Sequence, residues 1–179
     1  MAWSTPKTWT ASEQVDASEM NTELRDNLNE TAPGIASASG RMIVTDGANS
    51  IVERIPAGGT VATSETTAST TYANLATAGP GLNVTTGTEA IVIITATMRN
   101  DTAGGQCIMS FAISGATTLA ASDANSLTFE SGHPADQYGA SRVVFMSGLT
   151  AGSNTFSVKY RVSSGTGTFV NRDIAVIPL

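Results

Sequence analysis

The sequence is poor in the groups that carry out chemistry. Its 179 residues include one cysteine and one histidine, so an intrachain disulfide and a thiolate metal cage are excluded. Charged residues make up 13% of the chain, about half the usual share. Nine Lys and Arg stand against fifteen Asp and Glu, for a net charge of -6, and the basic residues are scattered. A nucleic-acid partner is not expected, because phosphate binding rests on grouped cations. There is no run of about 18 apolar residues, and the opening MAWSTPKTW has no apolar signal core. Neither a membrane partner nor a secretory signal is predicted, and the chain is expected to be made in a cytoplasm.

What the chain does have is small hydroxyl residues, 26 Thr and 19 Ser. A polar surface with few charges fits a β protein whose outward positions are hydroxyls. It equally fits one whose faces are covered by partner subunits, and composition leaves both readings open. The length suits one domain plus an appendage.

Charge marks the boundary. Residues 1–58 hold 4 basic and 8 acidic side chains, whereas 59–179, twice as long, hold 5 and 7. In TWTASEQVDASEMNTELRDNLNET (8–31), Asp16 is the predicted N-cap and Glu19 its partner three residues on, with Val15 and Met20 placed as a hydrophobic staple. Met20, Leu24 and Leu28 then recur every four residues and draw one thin apolar line, ended by Pro33 and Gly34. A helix of about 14 residues with so narrow a stripe is marginal alone and needs a surface to lie against.

The next stretch, GRMIVTDGANSIVERIPAGG, predicts strands over Met42–Thr45 and Ser50–Ile55 around the turn DGAN, then a hinge at Gly58–Gly59. Two strands cannot bury a core. The hairpin is either a connector covered by neighbouring copies or one that folds back on its own chain.

From about residue 60 the chain shows strand-like runs at regular spacing: TYANLAT, GLNVTT, EAIVIITATM, QCIMSFAI, TTLAAS, NSLTFE, SRVVFMS, NTFSVKYRV and TFVNRDIAVIPL. In NTFSVKYRV, Phe156, Val158, Tyr160 and Val162 share one face while Thr155, Ser157, Lys159 and Arg161 share the other. AIVIIT is apolar on both sides, which predicts a strand covered on both faces, either central to the sandwich or buried at a subunit contact. Cys107, inside QCIMSFAI, is expected in the core. The predicted fold class is mainly β: a jelly-roll-like antiparallel β-sandwich over 60–179, preceded by a leader and helix (1–32) and a hairpin connector (33–59).

Candidate chemistry is sparse. His133 lies in SGHPADQYG near Asp136, Gln137 and Tyr138. A histidine beside a carboxylate suits a general base, but no nucleophile motif accompanies it. These four residues are read as a loop whose functional alternative is contact with a partner or a glycan. Asp101, Asp123, Glu130 and Asp136 lack calcium-loop spacing, and TAGGQ and SSGTGT lack the lysine and helix of a phosphate cradle. No catalytic residue, metal site or cofactor is predicted. A wall or glycan hydrolase would need paired acids or a ligand set that the sequence does not offer.

The residues Trp9, Thr10, Met20, Asn21, Leu24, Arg25, Asp26, Asn27 and Leu28 resemble an N-terminal motif of virion proteins of tailed bacteriophages and related prophages, especially actinobacterial ones. TTYANLATAGPGLNVTTGTEAIVIITATM, MSFAISGATTLAASD and GLTAGSNTFSVKYRVSSGTGTFVNRDIAVIPL are similar to a β-sandwich module of such tail and fibre proteins. The resemblance implies a non-enzymatic virion component: a minor tail protein, or a short tail or head appendage. It implies docking through the N-terminal region on other virion proteins and display of the sandwich, commonly as a homotrimer. Trp3, Trp9, Met20, Leu24 and Leu28 are then the expected anchor, with Arg25 and Asp26 pairing across it or with the host shell. The alternatives are a host-surface carbohydrate-binding module and a capsid decoration protein that stabilises the head. Long shaft repeats are absent, so a short appendage is favoured over a reaching fibre.

Overall fold

Asp16 caps the first helix as its position in the sequence predicts. In the computed structural model, which describes residues 7–29, 36–48, 50–134 and 136–179, the Asp16 carboxylate accepts from the Glu19 backbone N–H at 2.8 Å. The Glu19 side chain returns to the Asp16 N–H at 3.4 Å. These two bonds satisfy donors that a helix start otherwise leaves unpaired. α1 (Ala17–Met20) runs on through a wider π-helical stretch, Asn21–Asp26, into α2 (Asn27–Asn29). Pro33 and Gly34, read as the stop signal, lie outside the described residues, as does Trp3. The segment before the helix turns back on it. The Lys7 ammonium pairs with Glu13 and Glu19, its backbone N–H donates to Glu23 at 2.8 Å, and the ammonium lies 4.6 Å from the Trp9 ring centroid. Exposed ion pairs of this kind orient a segment more than they stabilise it.

The chain forms two units, Met1–Ile55 and Pro56–Leu179. The first also holds the hairpin of β1 (Met42–Gly47) and β2 (Ser50–Arg54), antiparallel with Val44 opposite Val52.

The second unit is a sandwich of two antiparallel sheets. One has the order β5 (Gly81–Thr86), β10 (Gly152–Val162), β7 (Gln106–Gly115), β8 (Leu127–Glu130). The other has the order β3 (Ala57–Val61), β11 (Gly167–Pro178), β6 (Glu89–Asn100), β9 (Gln137–Ser147), with β4 (Glu65–Thr67) also on β11. Save for the β7–β8 hairpin, each connection from β5 to β11 crosses between sheets, the winding of a jelly roll.

Alternation explains the core. Phe156, Val158, Tyr160 and Val162 of β10 are buried, and so are Ala90, Val92, Ile94, Ala96 and Met98 of β6. They meet Cys107, Met109 and Phe111 of β7 between the sheets. Burial pushes the Cys107 thiol up to about 11, so it stays protonated and packs as a small apolar group.

Three local readings differ from the structure. Gly58 and Gly59, read as a hinge, are strand residues of β3, paired with Ala175 and Ile174. TYANLAT and TTLAAS contribute only isolated bridges, at Ala73 and Leu119. Each touches its strand beyond the end of a short neighbour, Ala73 on β10 past the last β5 pair and Leu119 on β7 past the last β8 pair, and the contact is one bridge long. Gln137 to Gly139, placed in a loop from sequence, begin β9.

Candidate functional site

The expected anchor is accessible on the first unit. Met20, Leu24 and Leu28 are 44%, 51% and 63% exposed, and Trp9 and Val15 are exposed as well. The residues were placed on one line by a period of four, and that line faces water. Full burial from water of such side chains is worth about 1.5–3 kcal/mol each, and at half exposure a covering surface would gain roughly half of that from each. Arg25 and Asp26 pair with each other at 2.8 Å. Asn27 is buried, and its amide donates to the Glu23 carbonyl at 3.1 Å.

A second apolar surface belongs to the sandwich. On the outward side of the β3–β11–β6–β9 sheet, Ile177, Ile91 and Phe145 stand in one cross-strand row, and Gly58, Ala175, Ile93 and Val143 in the next. Ile91 and Ile93 are half-buried, while Val143 and Phe145 are 63% and 58% exposed. The third row is polar but internally paired: the Thr60 hydroxyl donates to Asp173 at 2.6 Å, and the Thr95 and Ser141 hydroxyls bond at 2.7 Å. The two-sided apolar pattern of AIVIIT therefore has one side in the core and the other on this face.

The loop singled out by the lone histidine makes a small turn. The His133 backbone N–H donates to Asp136 at 2.8 Å, and the imidazole Nδ1 lies 3.7 Å from the same carboxylate, with the side chain 85% exposed. Gln137 is exposed at the start of β9, and Tyr138 stacks on Phe129 with ring centroids 6.2 Å apart. At that exposure the His133 imidazole is open to water. No group of three or more His, Cys, Asp or Glu able to hold a metal ion occurs among the described residues.

Two polar clusters went unnoticed in the sequence. Arg172, fully buried, pairs with Glu65 at 3.2 Å, donates to the Thr63 hydroxyl at 3.0 Å and lies 5.4 Å from the Tyr160 ring centroid. Thr77 first, and then the Arg172 charge, hold the Glu65 carboxyl below its ordinary range. Burial pushes the Tyr160 phenol up, and its hydroxyl donates to the Gly79 carbonyl at 2.7 Å. The signal for Arg172 is a slip in parity: Phe169 and Ile174 both face the core, which strict alternation forbids. The extra residue is absorbed by a bulge between Val170 and Asp173, with Asn171 at φ 49°.

The other cluster lies on the outward side of β10. Arg161 grips Asp123 through Nη2 at 2.6 Å and Nε at 3.1 Å, and the Tyr72 hydroxyl donates to the same carboxylate at 2.7 Å. Arg161 lowers the Asp123 carboxyl, and burial, then the Asp123 bond, raises the Tyr72 phenol to about 12. These bonds pin the short helix Asp123–Asn125 and the segment around Tyr72 to β10. Each charged group is matched within the cluster, which makes it a clamp rather than a reactive centre.

No family model and no curated protein matches the sequence. Among solved structures, the chain is similar to one of infectious bursal disease virus, Gx strain, at 10% identity over 70% of this chain and 33% of that one, with a TM-score of 0.47. It thus spans about a third of that viral chain. It is also similar to Eiger TNF from S. frugiperda, at 12% identity over 70% and 92% of the two chains, TM-score 0.48. A family 35 carbohydrate binding module from Clostridium thermocellum matches at 16% identity over 79% and 100%, TM-score 0.34. These likenesses concern β architecture, and they assign no ligand, partner or activity to this chain.

Proposed function

We propose that the chain is a non-enzymatic structural component of a tailed-phage particle, a minor tail protein or short tail or head appendage. Residues 1–32 dock it on other virion proteins, and the sandwich is displayed as a homotrimer. One observation carries the reading: the apolar line Met20, Leu24, Leu28 faces water on an N-terminal unit, while the second unit buries a core of its own. A capped helix with an exposed stripe has the form of a segment that completes its burial on another surface.

Deleting residues 1–30 tests this. The truncated protein is expected to keep the β circular-dichroism spectrum and the trimer mass of the full chain, and to be missing from purified particles. Normal incorporation would refute the docking role. The competing reading, a host-surface carbohydrate module, would use the exposed Tyr138 ring backed by Phe129. It predicts that purified protein, truncated or not, binds host cells, and the docking reading does not require this.

A further inference from the structure

We propose that the outward face of the β3–β11–β6–β9 sheet is the surface through which copies of this chain pack on one another. Val143 and Phe145 of one copy seat against the Gly58–Ala175 side of the next. The inference rests on the self-association in the reading above and is independent of docking by residues 1–32.

The two sheets present opposite outward chemistries. On β10 the outward residues are Thr155, Ser157, Lys159 and Arg161, the set expected of a face in water. On the other sheet the outward rows are Ile177, Ile91, Phe145 and Ala175, Ile93, Val143. A sheet that is apolar on both faces is one that is covered on both faces.

The hydroxyls that border the apolar rows are matched within the face. Its adjoining polar row is matched internally, Thr60 with Asp173 and Thr95 with Ser141, so covering it strands none of those hydroxyls. Charge lies at Glu89 and Arg99 toward its ends and at Asp173, whose carboxylate accepts from Thr60 at the polar edge of the apolar rows. An apolar centre with a polar rim is the pattern of a protein interface. A sugar surface would ask for stacked aromatic platforms, and Phe145 is the one aromatic in these rows.

Relief indicates how copies meet. Val143 and Phe145 stand proud on β9, the sheet's edge strand. At the opposite side, a shallow hollow is lined by Gly58, Ile93 and Ala175, with Thr60, Thr95 and Asp173 at its polar end. A ridge and a hollow on one face are complementary between two copies. Four strands about 4.8 Å apart and seven residues of about 3.3 Å each give a projected area on the order of 450 Å². That is roughly half of the ~800 Å² each partner gives to a stable interface, so the face supplies part of the contact and its flanks the rest.

Light scattering on the purified full chain tests the surface. Val143→Asp with Phe145→Asp is expected to lower the mass from three chains to one while the β spectrum is kept, and Ser157→Asp on the opposite sheet to leave it at three. A folded double variant that keeps the wild-type mass would overturn the surface and leave the trimer standing. A wild-type monomer would overturn both. Cross-linking reads the contact without a charge change. Residues 143 and 175 of one chain are separated by β6, about 9.6 Å apart at two strand spacings, too far for a disulfide within the chain. Oxidation of Val143→Cys with Ala175→Cys should therefore join separate chains, and neither single variant should. Absence of joined chains in the double variant would refute the seating of ridge in hollow.

Discussion

Arg172→Ala is expected to destabilise the sandwich by about 3–5 kcal/mol, the usual cost of removing one partner from a buried ion pair. The guanidinium is fully buried, and it is the cation facing Glu65. Its loss leaves that carboxylate with Thr77 as its remaining donor and leaves a void beside the Tyr160 ring. At the scale of this unit the loss corresponds to a fall in Tm of about 10–20 °C. Circular dichroism of the β signal is the suitable readout, because both tryptophans, Trp3 and Trp9, lie in the other unit. Arg172→Leu combined with Glu65→Leu should recover more than half of the loss, since apolar replacements of a buried pair are often neutral or stabilising. A single variant within about 1 kcal/mol of wild type would mean that the pair does not hold β4 to β11.

Gly115→Ala is expected to cost about 3–5 kcal/mol, combining left-handed strain with overpacking. Gly115 ends β7 at φ 108°, and a Cβ there would lie 2.4 Å from the Ser153 carbonyl oxygen. That oxygen accepts from the Ala116 N–H at 3.0 Å, so it cannot withdraw without giving up a bond. Gly104 supplies the control: its φ is 75°, and a Cβ there meets nothing within 4 Å. Gly104→Ala should therefore show strain alone, about 1–2 kcal/mol. Equal losses at the two positions, measured by urea denaturation, would remove crowding from the explanation.

The elements legible in the sequence are those whose signal is local. The reciprocal bonds of Asp16 and Glu19 follow from their spacing, and the burial of Phe156, Val158, Tyr160 and Val162 follows from alternation. β3 was hidden because a Gly-Gly pair has no strand propensity of its own. Pairing with β11 makes it a strand, and that partner lies more than a hundred residues away. Arg172 was hidden for a related reason, since a charged residue reads as outward until the bulge at Val170–Asp173 shifts the parity. The anchor stripe was visible as a period of four. The outward face of the sandwich was half visible: AIVIIT shows two apolar sides, but only the strand order sets Val143 and Phe145 beside Ile93 and Ile91. Tyr138 was marked as a loop contact and instead belongs to an edge strand, stacked on Phe129.

The central claim is that this chain is a part of the particle that carries its sandwich outward. Its most direct test is electron microscopy of intact phage particles purified from cells that express the chain, labelled with an antibody raised against residues 56–179. The account predicts label at fixed positions on the particle surface, and loss of that label from particles assembled with the protein lacking residues 1–30. Particles that carry no label while the full-length protein accumulates free in the same lysate would contradict it.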